Sequence, residues 1–238
     1  MQRFNQFVHR LLHLTGRASM ENEAWRRSLV REAAANQKQL TAPLASLVVA
    51  GIDSETTGFS PEHGDEIISL AAVKWSAGER DQKPFHSLIQ INSIIPENIS
   101  QLTGITMEDL ELAPRLEEIM PQFFSYIGSS VLLGYYVGHD IKFMNYFLWK
   151  KYRSRITHRV LDLYGIMKLI DPSLPPPTFD EACSRFGICN PARHTAIGDA
   201  LAAVSLWEKA VTELEKQGVY TLEHLYQKLS KIRHTSNS

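Results

Sequence analysis

Apolar residues in this chain follow two rhythms. Short runs rich in β-branched residues alternate with longer stretches in which apolar positions recur every three or four residues, the pattern of strands interleaved with helices. Leu47, Val48, Val49, Ala50 and Ile52 form a run that predicts a buried central strand, closed by Asp53-Ser54-Glu55-Thr56-Thr57-Gly58. Runs at 67–75 and 85–91, separated by polar turns, predict two more strands and, with the first, an antiparallel meander. Runs at 131–137 and 159–163 predict a fourth and a fifth strand. Helical spacing marks 96–104, 116–127, 140–151, 164–170, 179–186, 195–216 and 222–232, with the proline-rich breaker 172–177 interrupting the series. Strands in the first half and mostly helices in the second predict an α/β domain, with helices covering both faces of a mixed five-stranded sheet.

The stretch before the first strand differs. Residues 1–44 read as a basic helical extension, in which Phe4, Phe7, Val8, Leu11, Leu12 and Leu14 form an apolar stripe and arginines outnumber acids. It fits either a helix packed on the domain or an arm that docks a protein partner or nucleic acid. Residues 39–43 break the pattern and predict a linker, so the domain proper is expected over 45–238.

Composition narrows the class. With 238 residues, 44% of them hydrophobic, the chain is long enough to bury a full core. No apolar window reaches the length of a membrane span, and the first residues lack the apolar core of a secretory signal, so a cytoplasmic address is expected. Cys183 and Cys189 match no zinc or redox spacing and read as free thiols. A formal net charge of −1 argues against holding nucleic acid by bulk electrostatics, and leaves room for a local basic groove.

The candidate chemistry is acidic. Side chains alternate along a strand, so Asp53 and Glu55 project to the same side and can meet one metal ion. Asp140 stands where the fourth strand meets the next helix, at the strand end where open α/β sheets gather ligands. Asp199 lies in the first turns of a helix that opens with Ala196, Gly198, Ala200, Ala202 and Ala203, small residues that permit close packing beside the first strand. Four neighbouring carboxylates repel unless divalent cations compensate them. An all-oxygen set favours Mg²⁺ or Mn²⁺, and two such ions about 4 Å apart suit an in-line phosphoryl displacement. His194 is the candidate proton acceptor, on a lead-in (residues 190–193) expected to be flexible.

These residues resemble the DEDDh 3′-to-5′ exonucleases, the group that includes the epsilon proofreading subunit of bacterial DNA polymerase III, RNase T and oligoribonuclease. The first motif of that family, a strand ending D-x-E-T-T-G, stands at Asp53 to Gly58. The second, roughly H-N-x-x-F-D-I-x-F-M, matches Tyr135 to Met144, with Tyr135-Tyr136 replacing His-Asn and His139 the aromatic. The third, H-x-x-x-x-D-A, matches His194 to Ala200. Residues 102–106 and 160–163 resemble its connecting H-G-I-T segment and fifth strand. A register that treats His139-Asp140 as the His-Asn pair would put Met144 in the acidic slot, and the downstream match argues against it.

The resemblance implies an RNase H-like fold over about residues 46–212. It also implies a metal-dependent 3′-to-5′ exonuclease that releases nucleoside monophosphates from DNA. Asp53, Glu55, Asp140 and Asp199 would then hold two Mg²⁺ or Mn²⁺ ions and His194 would take the proton from the attacking water. Thr56, Thr57 and Gly58 would hold the terminal nucleotide, with Tyr136 beside it. His139 reads as a packing residue, Asp162 as a structural strand end, and Lys150, Lys151, Arg153 and Arg155 as either a solvated helix end or a phosphate-contacting edge. An RNA exonuclease of the RNase T or oligoribonuclease kind is the alternative within this class. An inactive exonuclease fold used for binding or scaffolding is the alternative from another.

Overall fold

The computed structural model describes residues 39–172 and 178–235. The expected helical extension lies outside the described residues except for 39–44, as does most of the proline-rich breaker. Residues 39–43, expected as a linker, are docked. Leu44 N–H donates to Tyr220 O at 2.8 Å, Glu223 N–H to Leu40 O at 2.9 Å, and Pro43 bridges to Thr221.

The central strand β1 (Val49–Thr56) pairs antiparallel with β2 (Ile67–Ser76), and β2 pairs with both β3 (Glu79–Arg80) and β4 (Phe85–Leu88). On its other side β1 runs parallel to β5 (Val131–Gly134), which pairs with β6 (Val160–Asp162). The sheet is therefore mixed, as expected, but six-stranded. The additional strand, β3, is two exposed polar residues held against Trp75 and Ser76. Such a pair carries no apolar alternation to read from the sequence.

Helices α1 (Glu97–Thr103), α2 (Met107–Glu111) and α3 (Leu116–Ile127) connect β4 to β5, and α4 (Gly138–Tyr152) links β5 to β6. After β6 come α5 (Leu163–Ile170), α6 (Phe179–Arg185), α7 (Ala196–Lys216) and α8 (Leu222–Thr235). The five-residue α2 was not expected. It is made by a capping box, in which Thr106 Oγ1 accepts from Asp109 N–H and the Asp109 carboxylate accepts from Thr106 N–H.

Strand alternation divides the core. Val49 faces a cluster with Val73, Leu133 and α5 to α8, whereas Ala50 and Ile52 face α3 and α4 through Phe123, Phe124, Phe143 and Met144. The α7 layer packs unusually close. A Cβ on Gly51 would lie 2.7 Å from Ala200 O and from Val204 Cγ2, so a glycine is what lets the helix rest on β1. Among the described residues no helix is long and apolar enough to cross a membrane. Cys183 is buried, Cys189 is exposed, and both are free thiols.

Candidate active site

The end of β1 delivers the first two carboxylates. Asp53 and Glu55, two residues apart and on one side of the strand, are part-buried opposite Ala71 and Ser69 of β2. Asp199 reaches them from the first turn of α7, where Thr195 caps the helix by accepting from Gly198 N–H at 3.2 Å. One carboxylate oxygen from each of Asp53, Glu55 and Asp199 lies within 4.8 Å of the others.

Asp140 arrives from the other layer. It is buried in the first turn of α4, and its Oδ1 accepts a 2.5 Å hydrogen bond from Ser54 Oγ, the residue of β1 that faces α4. Met144 is fully buried in the apolar cluster beneath α4 and holds no position among the carboxylates. Asp140 is thus bonded to the strand residue between Asp53 and Glu55, while Met144 lies in the core.

The electrostatics are those of a crowded acidic cluster that Arg193 offsets only in part. Burial raises Asp53 well above the usual carboxylate range, and repulsion from Asp140, Asp199 and Glu55 raises it further. Burial pushes Glu55 up to about 7, with Asp199 and Asp140 adding to it. Burial likewise pushes Asp140 up to about 7, against the hydrogen bond from Ser54. Asp199 is raised by burial, and Arg193 opposes that shift. A hard, all-oxygen donor set that repels itself in this way fits a divalent cation of the Mg²⁺ or Mn²⁺ kind.

Sequence reasoning missed the groups that hold Asp199. Asn190 Nδ2 donates to Asp199 Oδ1 at 2.6 Å, and Arg193 Nη1 donates to Asp199 Oδ2. Arg193 is fixed in turn by Asp180, 2.7 Å from its Nε, and by stacking over the Phe179 ring at 5.1 Å. The expected flexible lead-in to His194 is therefore anchored at both ends on a site carboxylate. The only signal for this was the pair of polar residues, Asn190 and Arg193, that brackets Pro191 and Ala192 just before His194. His194 itself adopts left-handed backbone, φ 63°, a conformation that costs a non-glycine residue about 1–2 kcal/mol. Its Nδ1 lies 3.2 Å from Arg193 Nη1. A guanidinium has no acceptor, so Nδ1 is the accepting atom of this contact.

The turn after β1 is tied together by its own side chains. Thr56 Oγ1 donates to Gly58 O at 2.7 Å and lies 3.0 Å from His139 Nε2; Thr57 Oγ1 accepts from Glu66 N–H at 2.9 Å. Both hydroxyls are thus engaged within the fold. A Cβ on Gly58 would run into the Asp65 carboxylate, so the close approach at this glycine is internal to the turn. His139 packs between the Phe59 and Phe143 rings, with centroids at 5.6 and 4.8 Å. Phe59, which the sequence reading passed over, is 79% exposed beside the site.

Tyr136 also has left-handed backbone, φ 54°, and its ring is stacked on Tyr164 at 4.7 Å, while Tyr135 packs inward against Phe179 at 5.0 Å. Asp162 closes this wall from below. Its Oδ1 accepts from Tyr136 N–H at 3.1 Å and from Tyr164 N–H at 3.0 Å, where it caps α5.

Against this geometry, the family model described as exonuclease matches residues 50–207, more than half of the chain. The chain belongs to the exonuclease family. It is 34% identical over 179 residues to the DNA polymerase III subunit epsilon of Aquifex aeolicus, across 73% of this chain and 87% of that protein. It is 29% identical over 178 residues to the PolC-type DNA polymerase III of Clostridium perfringens, but there it spans only 12% of the relative. Among solved structures, E. coli Exonuclease I in complex with a dT13 oligonucleotide superposes with a TM-score of 0.61 at 16% identity. That match covers 72% of this chain and 42% of the other, and shares the exonuclease fold. Family membership makes the chain an enzyme of the exonuclease class, and its acidic cluster is suited to divalent metal.

Proposed function

We propose that the chain is a 3′-to-5′ exonuclease that hydrolyses the last phosphodiester of a single-stranded DNA 3′ end and releases nucleoside monophosphates, in an epsilon-like proofreading or repair role. The observation that carries this reading is the convergence of Asp53, Glu55 and Asp199 within 4.8 Å at the end of β1, with Asp140 hydrogen-bonded to the strand residue between the first two. Asp53, Glu55, Asp140 and Asp199 would hold two Mg²⁺ or Mn²⁺ ions, which when bound supply charge stabilisation at the phosphoryl oxygens and a more acidic water. His194 takes the proton of the attacking water once its ring nitrogen is free of Arg193. The backbone of Thr56, Thr57 and Gly58 holds the terminal nucleotide, since the threonine hydroxyls already serve the turn. The exposed rings of Phe59 and Tyr136 flank its base. Residues 1–44, as a basic arm, dock the domain over 45–238 to a protein partner, and the setting is the cytoplasm.

The test is release of 3′-terminal nucleotides from matched DNA and RNA oligonucleotides with Mn²⁺, using the wild type, Asp140→Ala, Met144→Leu and His194→Ala. Activity is expected in the wild type and in Met144→Leu, a volume-conserving core change. Asp140→Ala is expected to abolish it, and His194→Ala to lower kcat on the order of 10²- to 10⁴-fold. Faster release from RNA than from DNA would move the substrate class to RNA. No release from either polymer would leave an exonuclease fold used for binding.

A further inference from the structure

Between Asp140 and Asp162 the chain contains no acidic residue and six cationic ones, Lys142, Lys150, Lys151, Arg153, Arg155 and Arg159. In a protein of net charge −1 this is a marked local excess, and α4 arranges it. Lys142, Tyr146, Trp149, Lys150 and Arg153 stand at i, i+4, i+7, i+8 and i+11, which is one face of a helix. At 1.5 Å per residue that stripe is about 16 Å long.

Its two ends differ in what they touch. At the start, Lys142 Nζ donates to Phe59 O at 2.9 Å and to Glu62 Oε1 at 3.1 Å, so the stripe begins at the turn beside the carboxylates. At the far end, Trp149 is 47% exposed, and the guanidinium groups of Arg153 and Arg155 each lie 5.6 Å from its ring centre. Lys150 Nζ lies 5.3 Å from the Tyr146 ring. Among the described residues, Lys150, Arg153 and Arg155 face aromatic rings and none is in an ion pair.

The loop that presents the two arginines is held in place. Arg153 takes left-handed backbone at the end of α4, Ser154 beyond it is buried, and Asn145 Oδ1 accepts from Ile156 N–H at 2.7 Å. The arrangement is a fixed aromatic ring flanked by cations that lack carboxylate partners, connected to the turn beside the site by the face of α4 that carries Tyr146 and Lys142.

We infer that this face of α4 is a track for the single strand upstream of the 3′ end, with a base stacked on Trp149 and its neighbouring phosphates on Lys150, Arg153 and Arg155. The inference rests on the proposed exonuclease reading for the placement of the 3′ end. Base–aromatic stacking and an adjoining cationic groove are the two features by which proteins hold single strands without reading sequence. Nucleic acid is favoured over a protein partner because Lys150, Arg153 and Arg155 gather around aromatic rings with no carboxylate partner among the described residues, whereas Lys142 and Lys151 are each paired with a glutamate, Glu62 and Glu117.

The experiment measures binding, using the full chain with chelator to prevent hydrolysis. Fluorescence anisotropy would compare 5′-labelled oligothymidylates of about four and about 16 nucleotides, lengths that bracket typical single-strand site sizes. The wild type is expected to bind the longer strand roughly tenfold more tightly, and Trp149→Ala to lose most of that ratio, with Trp149→Phe recovering it. Replacing Arg153 and Arg155 together with Gln should reduce the steepness of log affinity against log salt by about 1.4, that is about 0.7 per lost phosphate contact. Unchanged affinity ratio and salt slope in these variants would overturn the track and leave the face to a protein partner, as would equal wild-type affinity for both lengths. Failure of nucleotide release with Mn²⁺ while the length and salt effects hold would remove the exonuclease reading and keep the surface.

Discussion

Ser54 Oγ donates to Asp140 Oδ1 at 2.5 Å, joining β1 to α4 on the face of the sheet opposite α7. Asp53 and Glu55, on either side of Ser54 in sequence, point instead to the α7 layer that brings Asp199. The cluster is therefore assembled from both layers around one strand end, with Ser54 setting the position of the carboxylate that comes from behind. Ser54→Ala leaves Asp140 buried without this donor. It should destabilise the chain by about 1–3 kcal/mol in urea unfolding, the range for a stranded buried acceptor. It should also reduce the rise in melting temperature given by Mn²⁺, and an unchanged rise would mean that α4 alone orients Asp140.

Arg193 supplies positive charge to Asp199, and it occupies the Nδ1 lone pair of His194. Metal loading should displace it from both. Arg193→Met should accordingly lower the melting temperature of chelator-treated protein, because the acidic cluster loses its compensating cation. The Mn²⁺-induced rise should then be larger than in the wild type. Equal rises in the two proteins would show that Arg193 stays on Asp199 when metal is bound.

Asp53 and Asp199 are raised, and Glu55 and Asp140 are pushed up to about 7, from carboxylate values near 4. Between about pH 4 and about pH 7 the folded metal-free state then holds more protons than the unfolded chain, so these groups make stability fall as pH rises through that window. Bound divalent cations take the place of those protons. Thermal melts with chelator should decline from pH 5 to pH 8, melts with Mn²⁺ should decline less, and the gap should widen with pH. A gap independent of pH would contradict this account.

Gly51 and the opening of α7 touch so closely that a single methyl group has nowhere to go. Gly51→Ala places Cβ against Ala200 O and Val204 Cγ2, and backbone cannot yield as a flexible side chain does. The expected cost is about 1–3 kcal/mol in urea unfolding, the range for overpacking. Because Asp199 rides on that helix, nucleotide release should fall by more than the loss of folded protein accounts for. Activity proportional to the folded fraction would mean that α7 accommodates the methyl group without moving Asp199.

Much of this architecture was legible along the chain. The helices over 116–127, 163–170 and 196–216 follow apolar spacing and have the predicted bounds to within a residue, and the β1–β2–β4 meander follows strand-like runs and polar turns. The exceptions have local causes. α2 depends on a capping box around Thr106 and Asp109, and β3 is two polar residues with no pattern to read.

At the site, the sequence alone determined that Asp53 and Glu55 share a side of one strand, because that follows from the two-residue period of a strand. It also determined that Asp199 opens a helix whose small residues permit close packing. Only the tertiary structure decided how the rest is held. Ser54 meets Asp140 across 86 residues of sequence, Arg193 and Asn190 occupy the two oxygens of Asp199, and the hydroxyls of Thr56 and Thr57 are engaged within their own turn. The physical reason is that periodicity specifies which face a residue shares with its near neighbours. Which hydrogen bonds a buried carboxylate makes depends on the layers that close around it, and that packing is a property of the whole fold.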